Sequence, residues 1–407
     1  MRPRCTVCQR QPSLPVNMKP EATGGRVLLA LVVGQLGLHS AMAGLRMAAP
    51  LQTLREGWSA WSVGVLLALF AAAPVLLALH AGRLADRHGY HKPVGLAVAL
   101  SLLGMAMAAA SSLASGGLQF ALLAAAAMST GAGANMGMLT IQRTAGLAAR
   151  DAGERIRIFS WLGVAPSLSN VVGPVSAGFV IDAAGFGAAY LMLLALPLAT
   201  LLSARRVPRL PAPGATRDAA GGSAVELLNA PGMKRLLLIN WLMSMCWDVH
   251  TFAVPVLGHE AGFSASVIGL VLGCFTLAVS GIRMLVPLVA DRLQPVQVLR
   301  MAMLGTGAVF AAYPWARTPW QMAGCAVLLG LTLGIVQPII MNLLHHLTPD
   351  QRHGEALALR SMAINTSSTV MPLLFGALGT AVGAAVLFWS VGLAVAGGSF
   401  LPRSGSR

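Results

Sequence analysis

Twelve apolar runs of about 20 residues occupy most of the sequence, and this is the length that an α-helix needs to cross a ~30 Å hydrocarbon core. Of the 407 residues, 56% are hydrophobic and 10% are charged, whereas an ordinary soluble domain carries about 25% charged residues. The sequence therefore predicts an all-α membrane protein. We place its twelve transmembrane helices near residues 27–50, 61–81, 93–114, 118–141, 158–181, 186–203, 236–257, 265–288, 297–315, 320–343, 358–378 and 381–400.

A polar segment rich in proline, glycine and arginine separates the sixth run from the seventh, and this composition is typical of a linker. We therefore predict two six-helix halves. The expected divisions are an N-terminal tail (1–25), a first half (26–203), a linker (204–235), a second half (236–400) and a C-terminal tail (401–407).

Lysine and arginine are distributed unevenly across the predicted membrane. Of the 28 basic residues, 23 fall in the tails, the linker and the loops on the same side as the linker. Because basic loops favour the cytoplasm, we predict a multi-pass protein with both termini cytoplasmic, and the alanine- and arginine-rich composition suggests a bacterial inner membrane. This asymmetry accounts for the net charge of +15 without nucleic acid, because no basic stripe with interleaved aromatic residues occurs.

No metal, cofactor or catalytic centre is expected. Cys5 and Cys8 form a single C-x-x-C pair in the N-terminal tail, whereas a zinc site needs about four ligands. The sequence contains no nucleotide-binding loop and no metalloprotease or serine-hydrolase motif. These observations argue against an enzyme and against an ATP-driven pump.

The loop between the second and third runs, "GRLADRHGYHK", resembles the G-x-L-A-D-R-x-G-R-K signature of the major facilitator superfamily. Gly82, Asp86, Arg87 and Gly89 match it in order, and Tyr90 stands where a basic residue is usual. The resemblance implies a twelve-helix transporter of the bacterial exporter-like type, with the first, fourth, seventh and tenth spans around a central cavity. It also implies that Asp86 and Arg87 form a cytoplasmic gate.

The two halves repeat one another in sequence. Asp291 and Arg292 follow the eighth run 205 residues after the matching pair in the gating loop. Pro174 precedes Gly178 by four residues in the fifth run, and a Pro-Gly pair has the same spacing in the eleventh. Parallel repeats of this kind place a substrate site at the interface of the halves near the membrane midplane.

The fifth run also resembles a G-x-x-x-G-P-x-x-G-G signature that is associated with exporters that exchange a solute for protons. Gly173, Pro174 and Gly178 match it, whereas Ser169 and Phe179 replace its outer glycines. We interpret the match as a helix-bend motif, because proline removes one backbone hydrogen bond. Ordinary packing of small residues is the alternative. The fourth run lacks the arginine and glutamine that drug-proton exporters usually carry there.

An ionisable side chain near the bilayer centre costs at least ~2.5 to 3.5 kcal/mol, so each one is a functional candidate. Gln35, His39 and Arg46 share one face of the first helix, since they are four and seven residues apart. Asp248 is the only acid deep within any predicted span, and it lies as far into the seventh run as His39 lies into the first. At ~1.5 Å per residue both groups reach the midplane.

These positions suggest a proton-coupling site. A carboxyl group removed from water titrates closer to neutrality, and histidine titrates there already. Our hypothesis is that Asp248 is the proton-coupling acid and that His39 or His250 is its partner. A static buried ion pair that ties the halves together is the alternative.

Arginines within the spans suggest an anionic or oxygen-rich solute, because guanidinium matches carboxylate and phosphate. Arg46 either faces the cavity or extends to the outer interface. Arg360 raises the same question in the eleventh run, where pairing with Glu355 is the alternative. Arg283 is expected at the gate near Asp291.

Other polar residues in the spans complete the predicted solute site, although amides also join helices and tryptophan also packs. The full set of predicted solute-binding residues is Gln35, Arg46, Asn135, Asn240, Trp247, Gln337, Arg360 and Asn365.

We therefore expect a monomeric secondary active transporter whose partners are the lipid bilayer, protons and a small-molecule solute. The predicted activity is proton-coupled export of a small polar organic solute, such as a secreted metabolite, a siderophore or a toxic compound. Proton-coupled uptake of an organic anion and a non-transporting sensor are the alternatives.

Overall fold

A computed structural model describes residues 20–148, 152–208, 224–289, 294–349 and 353–402, and within these ranges every regular element is helical. The first half contains α1 (Pro20–Arg55), α2 (Ala60–His88), α3 (His91–Ser111), α4 (Gly116–Ala148) and α5 (Ala152–Ala204). The linker contributes the short α6 (Ala224–Leu228). The second half contains α7 (Met233–Glu260), α8 (Ala265–Val289), α9 (Pro295–Ala312), α10 (Pro319–Leu347), α11 (His353–Val382) and α12 (Ala384–Gly398).

The predicted fifth and sixth spans are the two limbs of α5, which meet at Gly185 with φ 83° and ψ 176°. Only glycine adopts this backbone conformation readily, since a side chain would clash there. Gly383, with φ 84° and ψ 160°, joins α11 to α12 in the same way. It lies 198 residues after Gly185, so a one-glycine joint occurs at matching positions of the two halves.

Length and hydropathy fit a membrane protein. Within the described ranges, nine helices are long and apolar enough to cross a bilayer, and the two limbs of α5 count as one of them. Residues 385–398 form a shorter apolar helix. Several helices are longer than the apolar runs that predict them, for example α1, because hydrogen bonding continues into polar residues that hydropathy excludes. The fold is the predicted twelve-helix arrangement of two six-helix halves.

Each half has its own packing, and the halves meet along two seams. In the first half α1 packs against α5 and α3 against α4, while in the second α8 packs against α10 and α9 against α12. The seams are α5 against α8 and α2 against α11. We call the end of the bundle at which the linker joins the halves the linker end, and the opposite end the distal end.

Candidate functional site

The α5–α8 seam brings backbone against backbone near the distal end. A Cβ atom added to Gly269 would clash with the carbonyl oxygen of Pro174, and one added to Gly178 would clash with that of Ala265. Gly173, the other small residue of the predicted helix-bend motif, packs equally closely on α1 beside Ser40. The backbone angles stay helical at Pro174, and the non-helical break falls at Gly185.

The α2–α11 seam has the same construction. A Cβ atom added to Gly64 would clash with the carbonyl oxygen of Pro372, and one on Gly376 would lie 3.0 Å from that of Ala60. An offset of 205 residues relates Gly64 and Ala60 of α2 to Gly269 and Ala265 of α8. An offset of 198 residues relates Pro372 and Gly376 of α11 to Pro174 and Gly178 of α5. The internal repeat therefore closes the distal end at two equivalent places.

Each seam carries a polar contact at its distal tip, which we call a latch. The Asp182 carboxylate accepts hydrogen bonds from the backbone N–H groups of Ala265 (2.9 Å) and Ser266 (2.8 Å), at the start of α8. At the matching positions, the Trp61 N–H donates to Thr380 Oγ1 over 3.1 Å. The first N–H groups of a helix lack partners within the helix, so an oxygen from the other half stabilises them.

A charged pair links the halves in the interior. Arg46 Nη2, from α1, lies 3.7 Å from Asp248 Oδ1, from α7. The Asp248 side chain is 3% exposed and the Arg46 side chain is 25% exposed. Ser367 Oγ donates to Asp248 Oδ2 over 2.9 Å, and Ser368 Oγ donates to Oδ1 over 3.2 Å. The carboxylate is therefore fixed by its own half, and the arginine reaches it from the other.

Four of the predicted residues surround a small cavity of about 160 Å³ beside this pair, namely His39, Arg46, Asn135 and Asn365. Ser368 also lines this cavity, so it adjoins the Asp248 carboxylate. His39 thus lies near the charged pair, while the direct partner of Asp248 is Arg46.

A larger cavity of about 720 Å³ lies between the halves. Described residues of seven helices line it, and the polar ones include Arg46, Trp247, Asp248, Arg283, Gln337 and Arg360. Most of these helices reach it with their linker-end halves, as Pro166 and Met243 illustrate. With its distal end closed, the bundle has its central cavity on the linker side.

Three predicted residues lie away from these cavities. Gln35 (2% exposed) and Asn240 (0%) are buried, and their side-chain amides have no hydrogen-bond partner within the described ranges. The His250 ring packs on Phe275 at a centroid distance of 4.2 Å, and its Nδ1 lies 3.4 Å from the Tyr313 hydroxyl. Residues two apart on a helix point in different directions, so His250 lies in the second half's core rather than beside Asp248.

The predicted gating motif lies at the linker end of α2. Gly82 lies in the last turns of this helix, Arg87 is exposed, and Gly89, with φ 68°, ends the helix by donating its N–H to the Ala85 carbonyl over 3.0 Å. The side chain of Asp86 lies outside what the structure describes. Cys5, Cys8, Asp291 and Arg292 also fall outside the described residues.

The fold and the cavity define a helical membrane transporter of two repeated halves. The family profile described as Major Facilitator Superfamily matches residues 31–317 and 236–404. These matches cover most of the chain, which belongs to the Major Facilitator Superfamily. The superfamily assignment and the structural neighbours indicate transporters rather than enzymes. No curated protein matches the chain.

Several solved structures share this fold. A POT family transporter in complex with 5-aminolevulinic acid has a TM-score of 0.74 and 11% identity, over 92% of this chain and 95% of that one. The peptide transporter POT gives 0.72 and 12%, over 95% and 97%. The nucleoside transporter NupG gives 0.67 and 12%, over 92% and 97%. At such identities the likeness shows the fold alone.

Proposed function

We propose that this chain is a proton-coupled secondary transporter that exports a small polar organic solute by alternating access. The observation that carries the proposal is the Arg46–Asp248 pair, because it joins the two halves inside the bundle. The solutes we propose are a secreted metabolite, a siderophore or a toxic compound. By the positive-inside rule, the linker end then faces the cytoplasm of a bacterial cell.

The proposed coupling follows from the two protonation states of Asp248. As a carboxylate, it attracts Arg46 and holds the halves together near the midplane. As a neutral acid, it keeps its two serine contacts within the second half and releases the arginine. Protonation thereby changes how firmly the halves adhere, which is the requirement for coupling a proton to their movement. His39 lies close enough to act as the second proton carrier.

Alternating access requires a second conformation with the distal end open. The tightest contacts of the closed seams are glycine against backbone, and these contacts can separate without exposing large apolar side chains. Opening breaks the latches and the Arg46–Asp248 pair, and closing the linker end then removes access to the central cavity. The gating loop that contains Arg87 is positioned at that end.

Export is supported by the likeness of Gly173, Pro174 and Gly178 to the signature of proton-exchanging exporters. Uptake of an organic anion is the second candidate, because the same charged pair could couple protons to that direction as well. Protonation of Asp248 frees Arg46 for an anionic group, so the proton and the anion would bind together and move in the same direction.

Membrane vesicles of both orientations distinguish these functions. Vesicles that contain the protein are offered an extract of host metabolites under an imposed proton gradient, and mass spectrometry identifies the solutes that accumulate. Export predicts protonophore-sensitive accumulation in everted vesicles, whereas uptake predicts it in right-side-out vesicles. Accumulation in neither orientation would leave the non-transporting sensor as the better description.

The coupling role has its own variant. Asp248→Asn retains the shape of the side chain but cannot release a proton, so gradient-driven accumulation should be lost while exchange of solute between equal pools continues. Glu260→Gln, an exposed acid at the distal end of the same helix, is the matched control. Unaltered gradient-driven transport in Asp248→Asn would show that Asp248 does not couple protons and that the Arg46–Asp248 pair only holds the halves together.

A further inference from the structure

Two arginines lie on the wall of the central cavity in addition to the Arg46–Asp248 pair. Arg283 comes from α8 and Arg360 from α11, and both are half-buried. Both contact α10 at positions three residues apart, Gly334 and Gln337, so the two positive charges lie along the same part of the cavity wall. Two like charges in a partly enclosed space are stabilised when an anion lies between them.

The described part of the chain supplies no such anion. Asp248 is the one carboxylate among the described residues of this cavity, and Arg46 already pairs with it. Neither Arg283 nor Arg360 forms a salt bridge with any acid whose side chain the structure describes, and the side chain of Glu355, the alternative partner of Arg360, lies outside that description. The described lining therefore carries two positive charges in excess of its negative charge.

Helix α10 orients both arginines without using all of their donors. Arg360 Nη2 donates to Gln337 Oε1, and Arg283 Nε lies 3.4 Å from the Gly334 carbonyl oxygen. The Nε of Arg360 is buried and meets no acceptor within the described ranges. A guanidinium group has five N–H donors in a fixed plane, and the two oxygens of a carboxylate or phosphate match that geometry.

We propose that Arg283, Arg360 and Gln337 form a subsite for the carboxylate or phosphate group of the transported solute, which is therefore an organic anion. The rest of the solute extends along the cavity towards Trp247. This inference rests on the proposed function for the view that the cavity is the transport site, and it holds for either direction of transport.

The position of Trp247 allows a test that does not require the natural solute. It lines the same cavity, so ions that collect there quench its fluorescence. The full-length protein is titrated in detergent at low ionic strength with iodide or with caesium, and Trp247→Phe supplies the background of the other tryptophans. Iodide is also the more efficient quencher of a free indole, so the iodide preference is defined as the ratio of iodide to caesium quenching divided by the same ratio for N-acetyltryptophanamide. We expect this preference to be severalfold for the Trp247 emission, because a cleft lined by one sign of charge concentrates counter-ions.

Substitutions of the two arginines then test whether the iodide preference arises from the subsite. Arg283→Gln and Arg360→Gln should each reduce the iodide preference, and the double variant should abolish it. Arg317→Gln, an exposed arginine in a distal loop, should leave it intact. Neutral acrylamide should quench every variant equally, and this shows that the cavity has kept its shape. If one single variant does not fold, the other still carries the test.

An iodide-to-caesium ratio in the native protein no higher than that of N-acetyltryptophanamide would overturn the subsite. A preference that persists in the folded double variant would do the same, because its source would lie elsewhere. The vesicle experiment separates this inference from the proposed function. Accumulation of neutral or cationic solutes alone refutes the subsite and leaves transport standing, whereas absence of transport refutes the function and leaves the iodide result unaffected.

Discussion

The Asp182 carboxylate in the first half is hydrogen-bonded to the backbone N–H of Ser266 in the second, over 2.8 Å. Its other oxygen accepts the N–H of Ala265. The contact fastens the start of α8 to the distal tip of the fifth span. It therefore stabilises the conformation in which the distal end is closed.

Asp182→Asn should shift the protein towards the distal-open conformation. Asparagine keeps one acceptor but directs an NH₂ group at a backbone N–H, so one hydrogen bond is lost. Loss of such a cap costs about 1 kcal/mol. Spin labels at Leu113 and Arg317, on distal loops of opposite halves, should report a larger population of long distances. Glu56→Gln, another exposed distal acid, is the control, and identical distance distributions in the two variants would refute the role of the latch.

Gly269→Leu should oppose distal closure more strongly than the loss of a latch. Its new side chain would collide with the Pro174 carbonyl, which belongs to a helix backbone and cannot move aside. The same labels should show few closed molecules. Gly281→Leu on the same helix is the control, because a Cβ there meets nothing within 4 Å. If both variants close normally, the seam is not as tight as described.

Arg46→Gln should destabilise the protein more than Asp248→Asn does. It leaves a carboxylate that is 3% exposed without its counter-charge, whereas Arg46 is 25% exposed and borders a cavity. Removing one partner of a buried pair costs about 3 kcal/mol or more. Thermal unfolding in detergent should show that the double variant is more stable than Arg46→Gln alone. Additive losses would mean that the pair contributes no coupling energy.

The two histidines should behave differently. His39→Gln should alter the pH dependence of transport, because His39 borders the charged pair through the small cavity. His250→Phe should lower thermal stability and leave that dependence intact, because its ring packs in an aromatic core with Phe275 and Tyr313. Initial rates across a pH series in proteoliposomes provide the measurement. If His250→Phe altered the pH profile of transport, His250 would again be a candidate for the proton-coupling role.

The number and order of the helices follow from hydropathy, because a bilayer imposes a minimum apolar length on each span. The depth of a residue within a helix does not follow in the same way. An apolar run begins where charges end, whereas α1 begins at Pro20, earlier than its run at 27. Counting residues from the start of each apolar run puts Asp248 and His39 at the same depth in the membrane. The 205-residue repeat instead places Asp248 at the same depth as Ala43, and Arg46 lies about one helical turn from Ala43.

The two latch contacts could not be predicted from the sequence for a different reason. A helix cap is normally recognised because the capping residue directly precedes its helix. Asp182 caps a helix that begins 83 residues later, so nothing local marks it. The signal that was available is the repeat itself, since Asp182 and Thr380 follow Pro174 and Pro372 by the same eight residues.

The joints at Gly185 and Gly383 limit how the distal end can open. Each is one residue long and lies within three residues of a latch. Such a joint lets its two limbs change their angle, but it keeps their distal tips together. When the fifth or the eleventh span leaves the seam, the sixth or the twelfth span must follow it at that end and slide along the surrounding lipid. The lateral pressure of the leaflet around the distal end should therefore influence the rate of opening.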